Sequence, residues 1–257
     1  SDSYLQQQSE KTTSYAFNVY ANYEFNLKQK HNFNIMLGAN AEGEEFYWHR
    51  SKKMGLLNPD QPEFGLANGT QTVDGRHIHS ATAGYFGRIN YNWNEIWLVE
   101  LNGRFDGSSS FPSKDRWAFF PSGSIGYRFS QEGYFDKLRN IVTNGKIRAS
   151  LGEIGNEAVG EDMFISTIST VDNSYWLDSE GNLMTMYNTP SLVSNSLTWE
   201  RIRTLDLGID LGFLDNRLNV TADFFIKNTK DLLLAQSLAQ ATGFTSQWQN
   251  IGKIQNR

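Results

Sequence analysis

From Ser14 to Leu27 the chain alternates with a period of two: Tyr15, Phe17, Val19, Ala21, Tyr23, Phe25 and Leu27 against Ser14, Ala16, Asn18, Tyr20, Asn22, Glu24 and Asn26. Successive side chains of a strand point to opposite faces, so this segment predicts a strand with one apolar and one mostly polar face. The pattern returns after Lys28 to His31, with Phe33, Ile35, Leu37, Ala39 and Ala41 opposed to Asn32, Asn34, Met36, Gly38, Asn40 and Glu42. Tyr85 to Trp93 and Trp97 to Phe105 repeat it, as does Leu205 to Phe213. Phe119 to Phe129 and Lys146 to Leu151 are weaker instances. After Leu214-Asp215-Asn216-Arg217 the apolar parity switches to Leu218, Val220, Ala222, Phe224 and Ile226. In all, about nine strands are expected, the last one cut short.

The connections alternate in length. Those at 28–31, 94–96 and 214–217 are hairpin-tight, and 130–144 is a longer link in which Tyr134–Leu138 can make a helical turn. Between them lie long polar segments at 48–82, 106–116, 155–198 and 231–247. Short turns on one rim and long loops on the other are the pattern of an outer-membrane barrel. Residues 14–27 would reach roughly 45 Å as a strand, longer than a globular strand and suited to a tilted membrane crossing. The expected fold is therefore all-β: an antiparallel transmembrane β-barrel. Sheet edges left open in lipid would strand backbone polar groups, so residues 1–257 are read as an internal part of one barrel domain whose other strands come from outside this sequence.

Composition sharpens this reading at four points. With a net charge of -5, nothing suggests a nucleic-acid partner, which would call for a basic face. The absence of cysteine excludes disulfides and thiolate metal sites. Mean hydropathy is -0.51, and no apolar run is long enough for a membrane helix. A barrel accounts for both, because only every second residue of a strand meets lipid. Aromatic residues make up 14% of the chain, an excess that membrane-interface girdles produce.

Two registers follow from the pattern. With Glu95 at the apex of a three-residue loop, Trp93 faces Trp97, Ile89 faces Leu101 and Tyr85 faces Phe105. Across 214–217, Phe213 faces Leu218, Leu211 faces Val220 and Leu207 faces Phe224. Either assignment keeps apolar residues on one face, whereas a one-residue slip would mix the faces. Phe25, Phe33, Trp93, Trp97, Tyr127 and Phe213 flank the tight connections on the apolar parity and are expected to form the periplasmic girdle. Arg88, Glu100, Arg104, Asp206, Asp210 and Asp223 lie on the polar parity and are expected to line the lumen, since charges at mid-membrane on the lipid face cost about 2–4 kcal/mol.

Enzyme chemistry finds little support. His77 and His79 would point the same way in an extended segment, as metal ligands can, but no third ligand is apparent near them and a solvated loop is the simpler reading. Glu44-Glu45 and Glu161-Asp162 are adjacent, so their carboxylates should point apart rather than pair as an acid and a base. Gly107-Ser108-Ser109-Ser110 lacks the lysine and helix of a phosphate loop and reads as a plain loop. Trp48, Tyr175 and Trp176 fall in the long polar segments, where they can stack on sugars or pack among themselves. No catalytic residue, metal or cofactor is expected.

As a set, several stretches resemble the SusC/RagA branch of TonB-dependent transporters. They are Gly84-Tyr85-Phe86-Gly87-Arg88-Ile89-Asn90-Tyr91, Arg104-Phe105-Asp106-Gly107-Ser108-Ser109-Ser110-Phe111, Arg116-Trp117-Ala118-Phe119-Phe120-Pro121-Ser122 and Lys146-Ile147-Arg148-Ala149-Ser150-Leu151-Gly152-Glu153-Ile154-Gly155-Asn156. Leu197-Thr198-Trp199-Glu200, Gly208 to Leu218 and Asp223 to Asp231 continue in matching order. Leu151 and Ile154 depart from the tyrosine and threonine more usual there. The resemblance implies a barrel of about 22 strands around an N-terminal plug, with the plug and the TonB-contacting segment absent from this chain. It further implies a SusD-like surface lipoprotein lid, energy from the TonB complex, and oligosaccharide or peptide cargo. A passive porin-like barrel and a soluble glycan-binding or glycan-cleaving β protein are the rival readings.

Overall fold

The computed structural model describes residues 3–257 except 158, 161–162, 169, 172–175, 182–183, 185, 191 and 195. Among the described residues eleven strands follow in order: β1 (Tyr4–Leu27), β2 (His31–Met54), β3 (Gln71–Trp93), β4 (Trp97–Ser108), β5 (Trp117–Tyr127), β6 (Val142–Asn156), β7 (Thr170–Val171), β8 (Met186–Tyr187), β9 (Glu200–Phe213), β10 (Leu218–Ser237) and β11 (Ser246–Asn256). Nine of them form a single antiparallel sheet in the order β1-β2-β3-β4-β5-β6-β9-β10-β11, while β7 and β8 make a separate small ribbon. Every neighbour in the large sheet is the next strand in sequence once that ribbon is set aside, an up-and-down meander whose connections alternate between two rims.

The tight turns share one rim. At Lys28-Gln29 and Asn94-Glu95 paired residues adopt positive φ (53° and 59°, 50° and 57°), and Leu214, Asp215 and Asn216 do the same at 54°, 59° and 61°. Such left-handed turns match the right-handed twist of the strands they join. Adjacent turns are stitched together: Asn94 N–H donates to Lys30 O at 2.7 Å, and Arg128 N–H donates to Ile96 O at 2.8 Å. The 128–141 link lies on this rim too and contains short 3-10 turns at Phe129–Gln131 and Gly133–Leu138.

Both predicted registers are present. Trp93 pairs with Trp97 and Tyr85 with Phe105, and the ladder continues to Thr82 and Ser108. Phe213 pairs with Leu218 and Leu207 with Phe224. The β-ladder thus carries one face of apolar residues across the whole sheet, and large side chains such as Tyr15, Leu37, Tyr85, Leu101, Leu151 and Leu207 stand exposed on it.

The strands run further than the apolar pattern predicts. β1 and β2 each span 24 residues, β3 reaches back to Gln71 and β10 forward to Ser237. The expected loops 48–82 and 231–247 shrink to 55–70 and 238–245, so Trp48 belongs to β2 and not to a loop. The reason is physical: beyond an apolar band both faces of a strand meet water, and the alternation that reveals a strand vanishes while its hydrogen-bonded ladder continues. Ser108 likewise ends β4 instead of lying in a loop.

A compact core closes the long-loop rim. Phe111 and Leu197 are fully buried, and they pack with Ala118, Phe120, Val159 and Trp199. Trp199 Nε1–H donates to Arg116 O at 2.9 Å, fixing the indole that the Phe111 and Phe120 rings flank at 5.0 and 5.6 Å. Ser110 Oγ donates to Glu157 Oε1 at 2.6 Å, and Ser108 Oγ donates to the same oxygen. These contacts tie the 109–116 connection to the start of the long segment between β6 and β9. Among the described residues, no helix is long and apolar enough to cross a membrane, which leaves crossing by strands untouched.

Candidate functional site

The face opposite the apolar one is concave and charged. A groove of about 820 Å³ on it is lined by Glu24, Asn34, Glu100, Lys146, Arg148 and Asp206, among others. The six polar-parity charges expected from sequence all lie on this face by register: Arg88 opposite Asn102, Arg104 opposite Phe86, Asp206 opposite Ser150 and Asp223 opposite Gly208.

They are organised as separate clusters. Arg148, in β6, stands opposite Gly208 in β9, which in turn stands opposite Asp223 in β10. Gly208 has no side chain, so the guanidinium lies across it; a Cβ there would fall 2.5 Å from Arg148 Cζ and 2.6 Å from Asp223 Oδ1. From this position Arg148 bonds Asp206 at 3.1 Å, Asp210 at 3.3 Å and also Asp223. One cation therefore holds three carboxylates drawn from two strands, and the patch stays net negative. Thr221 Oγ1–H donates to Asp210 Oδ1 at 3.1 Å.

A second cluster joins Arg88 Nε to Asn102 Oδ1 at 2.8 Å and Asn102 Nδ2 to Glu100 Oε1 at 2.7 Å. In a third, Arg104 bonds Asp106 at 2.8 Å and Asn40 at 3.2 Å, and its guanidinium lies 5.4 Å from the Phe86 ring centroid. Further along β6, towards the long-loop rim, Glu153, with a side chain only 7% exposed, accepts from Arg201 and from Arg203, the latter at 2.7 Å. Such depth without a cation would be costly, and two guanidinium groups supply the compensation.

Sequence reasoning missed Arg148, Glu153, Arg201, Arg203 and Glu157. Arg148 and the polar parity of β6 were both legible, but three carboxylates converging on it across two further strands were not. His77 and His79 do point the same way, yet they sit in β3 and not in a loop. The expectation that no third ligand lies near them needs correction: Glu45, 32 residues upstream, is brought beside them by the β2–β3 ladder. Glu44 and Glu45 point apart, as adjacent strand residues must. Glu161-Asp162 and Tyr175 lie outside the described residues. Trp176 is exposed.

On the apolar face the aromatic residues fall into two rows. Near the tight turns Phe25 stacks on Phe33 with ring centroids 4.8 Å apart, Phe33 meets Tyr91 at 4.8 Å, and Trp97 stacks on Tyr127 at 4.4 Å. Trp93 pairs with Trp97 in the ladder, and Phe213 lies two strands beyond Tyr127, at the 214–217 turn. Towards the other rim Trp117 stacks on Phe105 at 5.1 Å and on Tyr85 at 6.2 Å.

Residues 1–257 match the family of TonB dependent receptor-like β-barrels over their whole length. The chain belongs to that family. Its place is the outer membrane. The barrel segment is 30% identical over 250 residues to the TonB-dependent receptor SusC of Bacteroides thetaiotaomicron, covering 94% of this chain and 24% of that protein. It is 34% identical over 172 residues to a TonB-dependent receptor of Formosa agariphila, covering 67% of the chain and 17% of that relative. The fold superposes on the structure of the RagAB peptide transporter with a TM-score of 0.87 at 22% identity, over 97% of this chain and 27% of that one. The siderophore receptor PirA from Acinetobacter baumannii superposes with a TM-score of 0.56 at 15% identity, covering 96% of this chain and 33% of that one. The resemblance of the sequence to the SusC/RagA branch is thus borne out. The chain spans about a quarter of the length of SusC.

Proposed function

We propose that this chain is one part of a TonB-driven outer-membrane importer that takes up oligosaccharides or peptides through a plugged barrel. The observation that carries the reading is the sheet itself: an open nine-stranded meander, apolar on one face and charged on its concave face, with tight turns confined to one rim. Its two edges, β1 and β11, need partners in lipid, which the remaining strands of the same barrel would provide. In this reading Arg88, Glu100, Arg104, Asp206, Asp210 and Asp223 line the lumen, together with Arg148, and meet the plug or a hydrated cargo. Phe25, Phe33, Trp93, Trp97, Tyr127 and Phe213 form the periplasmic girdle, and the Tyr85, Phe105 and Trp117 row forms its outer counterpart. Spacing supports that assignment. Ten residues separate Tyr127 from Trp117, about 33 Å along the strand and about 25 Å along the barrel axis at a tilt of about 40°, close to the height of an apolar band.

Chemistry on cargo has no place in this reading; the protein is a transporter and not an enzyme. A SusD-like surface lipoprotein would close the long-loop rim, and the TonB complex would act through segments beyond this chain. The test is uptake of labelled oligosaccharide or peptide mixtures by cells carrying the whole barrel, with and without TonB. Energised import requires that uptake stop when TonB is removed. Uptake that persists undiminished would point instead to a passive pore.

A further inference from the structure

We propose that Glu45, His77 and His79 form a binding site for a divalent transition-metal ion, with Zn²⁺ as the fitting class, on the apolar-parity face of β2 and β3. The ladder pairs Glu45 with His79 and Tyr47 with His77, so the three donor-bearing residues project from a fixed backbone on one face. Glu45 Oε1 lies 3.1 Å from His77 Nε2 and 3.7 Å from His79 Nδ1, and one donor atom from each residue falls within 4.8 Å of the other two. Ligands at about 2.0–2.2 Å from a zinc ion stand roughly 3.0–3.6 Å from one another, so small side-chain rotations close the site without moving the ladder. Two imidazoles and one carboxylate suit Zn²⁺, Ni²⁺ or Cu²⁺ rather than Mg²⁺ or Ca²⁺, which prefer all-oxygen shells. Three protein ligands leave a coordination position for water.

The surroundings favour a metal over a plain histidine–carboxylate bond. Glu45 Oε1 approaches both imidazoles at once. The two imidazole rings sit with centroids 4.1 Å apart, an approach that two protonated rings would oppose and a shared cation would organise. Tyr47 meets the His77 ring edge-on at 5.8 Å and restricts its rotation. Across the ladder on β1, Thr13 faces Glu45 and Lys11 faces Tyr47, so the nearest lysine of that strand is one same-face step away from the carboxylate. The site is also reachable. Side-chain exposures are 48%, 47% and 64% for Glu45, His77 and His79. Fourteen residues separate Glu45 from His31 at the tight-turn rim, about 46 Å along the strand and about 35 Å along the axis, beyond a band about 25 Å tall. A bound ion would clip β2 to β3 where the hairpin stands clear of the apolar band.

The experiment is zinc titration by calorimetry of the whole barrel, purified in detergent through a tag that contains no histidine, with Cu²⁺ electron paramagnetic resonance on the same samples. Wild type is expected to bind one more equivalent than the double variant His77→Ala/His79→Ala, with nitrogen hyperfine structure in the Cu²⁺ spectrum that the variant lacks. Glu45→Gln should weaken that equivalent roughly tenfold or more. All three side chains are exposed, and heat-modified mobility checks that each variant remains a folded barrel. Identical titrations of wild type and the double variant would overturn the site. Full-strength binding by Glu45→Gln would overturn its three-ligand form.

Discussion

The Arg148 cluster offers a sharp test of the charged wall, because one glycine makes it possible. Replacing Arg148 by alanine removes three ion pairs, made to Asp206, Asp210 and Asp223. Side-chain exposures of 31% for Arg148 and 24%, 31% and 40% for the aspartates place these between surface and buried pairs. At about 0.2–1 kcal/mol each, the lost pairs cost about 1–2 kcal/mol. The aspartates then face one another without the guanidinium that bridges them, Lys146 remaining only across the ladder from Asp210. Diagonal neighbours about 7–8 Å apart repel by roughly 0.5 kcal/mol each in a water-like dielectric. The total is about 2 kcal/mol for Arg148→Ala. Gly208→Ala should cost a similar amount by a different route, since its Cβ would occupy the place of the guanidinium, 2.5 Å from Arg148 Cζ. The two losses are one loss counted twice. In the Arg148→Ala background the added methyl group meets Asp223 Oδ1, 2.6 Å away at the end of a side chain that no guanidinium then holds and that can turn aside, so Gly208→Ala should then cost about 0.5 kcal/mol, giving a coupling of about 1.5 kcal/mol. Urea unfolding of the whole barrel in detergent, followed by far-ultraviolet circular dichroism, measures all four corners of the cycle. A Gly208→Ala penalty that is the same with and without Arg148 would refute the bridging role of the glycine.

Three further outcomes follow. Trp93 and Trp97 should be quenched strongly by lipids brominated near the headgroup and weakly by lipids brominated at the chain ends; the reverse order would remove them from the girdle. Phe111→Ala should destabilise the long-loop rim by about 3–5 kcal/mol, because the ring is fully buried, and limited proteolysis should then cut between β6 and β9 faster than in wild type; equal cleavage rates would show that this core does not hold the segment. The 257-residue chain on its own, without detergent, should aggregate, since its apolar face and both edge strands are uncovered. A monodisperse monomer in sedimentation would contradict the barrel reading.

The sequence by itself determined every feature that follows from local alternation: the number of strands in the sheet, the rim on which the tight turns lie, and the register of the hairpins at Glu95 and Asn216. The pleat forces these results, because a period of two leaves no freedom once one face is apolar. The same rule hid the polar ends of β1, β2, β3 and β10, where both faces are solvated and alternation carries no information. Only the tertiary structure decided which side chains converge across strands outside those two hairpin ladders. Arg148 and Asp223 are 75 residues apart, and Glu45 and His77 are 32 apart; nothing in local composition marks either pair. Ser110 and Phe111 read as a loop, and their burial came from the β6–β9 segment folding over them. Periodicity is written within a strand, whereas a site is assembled between strands, by a ladder that sums the lengths of every loop along the way.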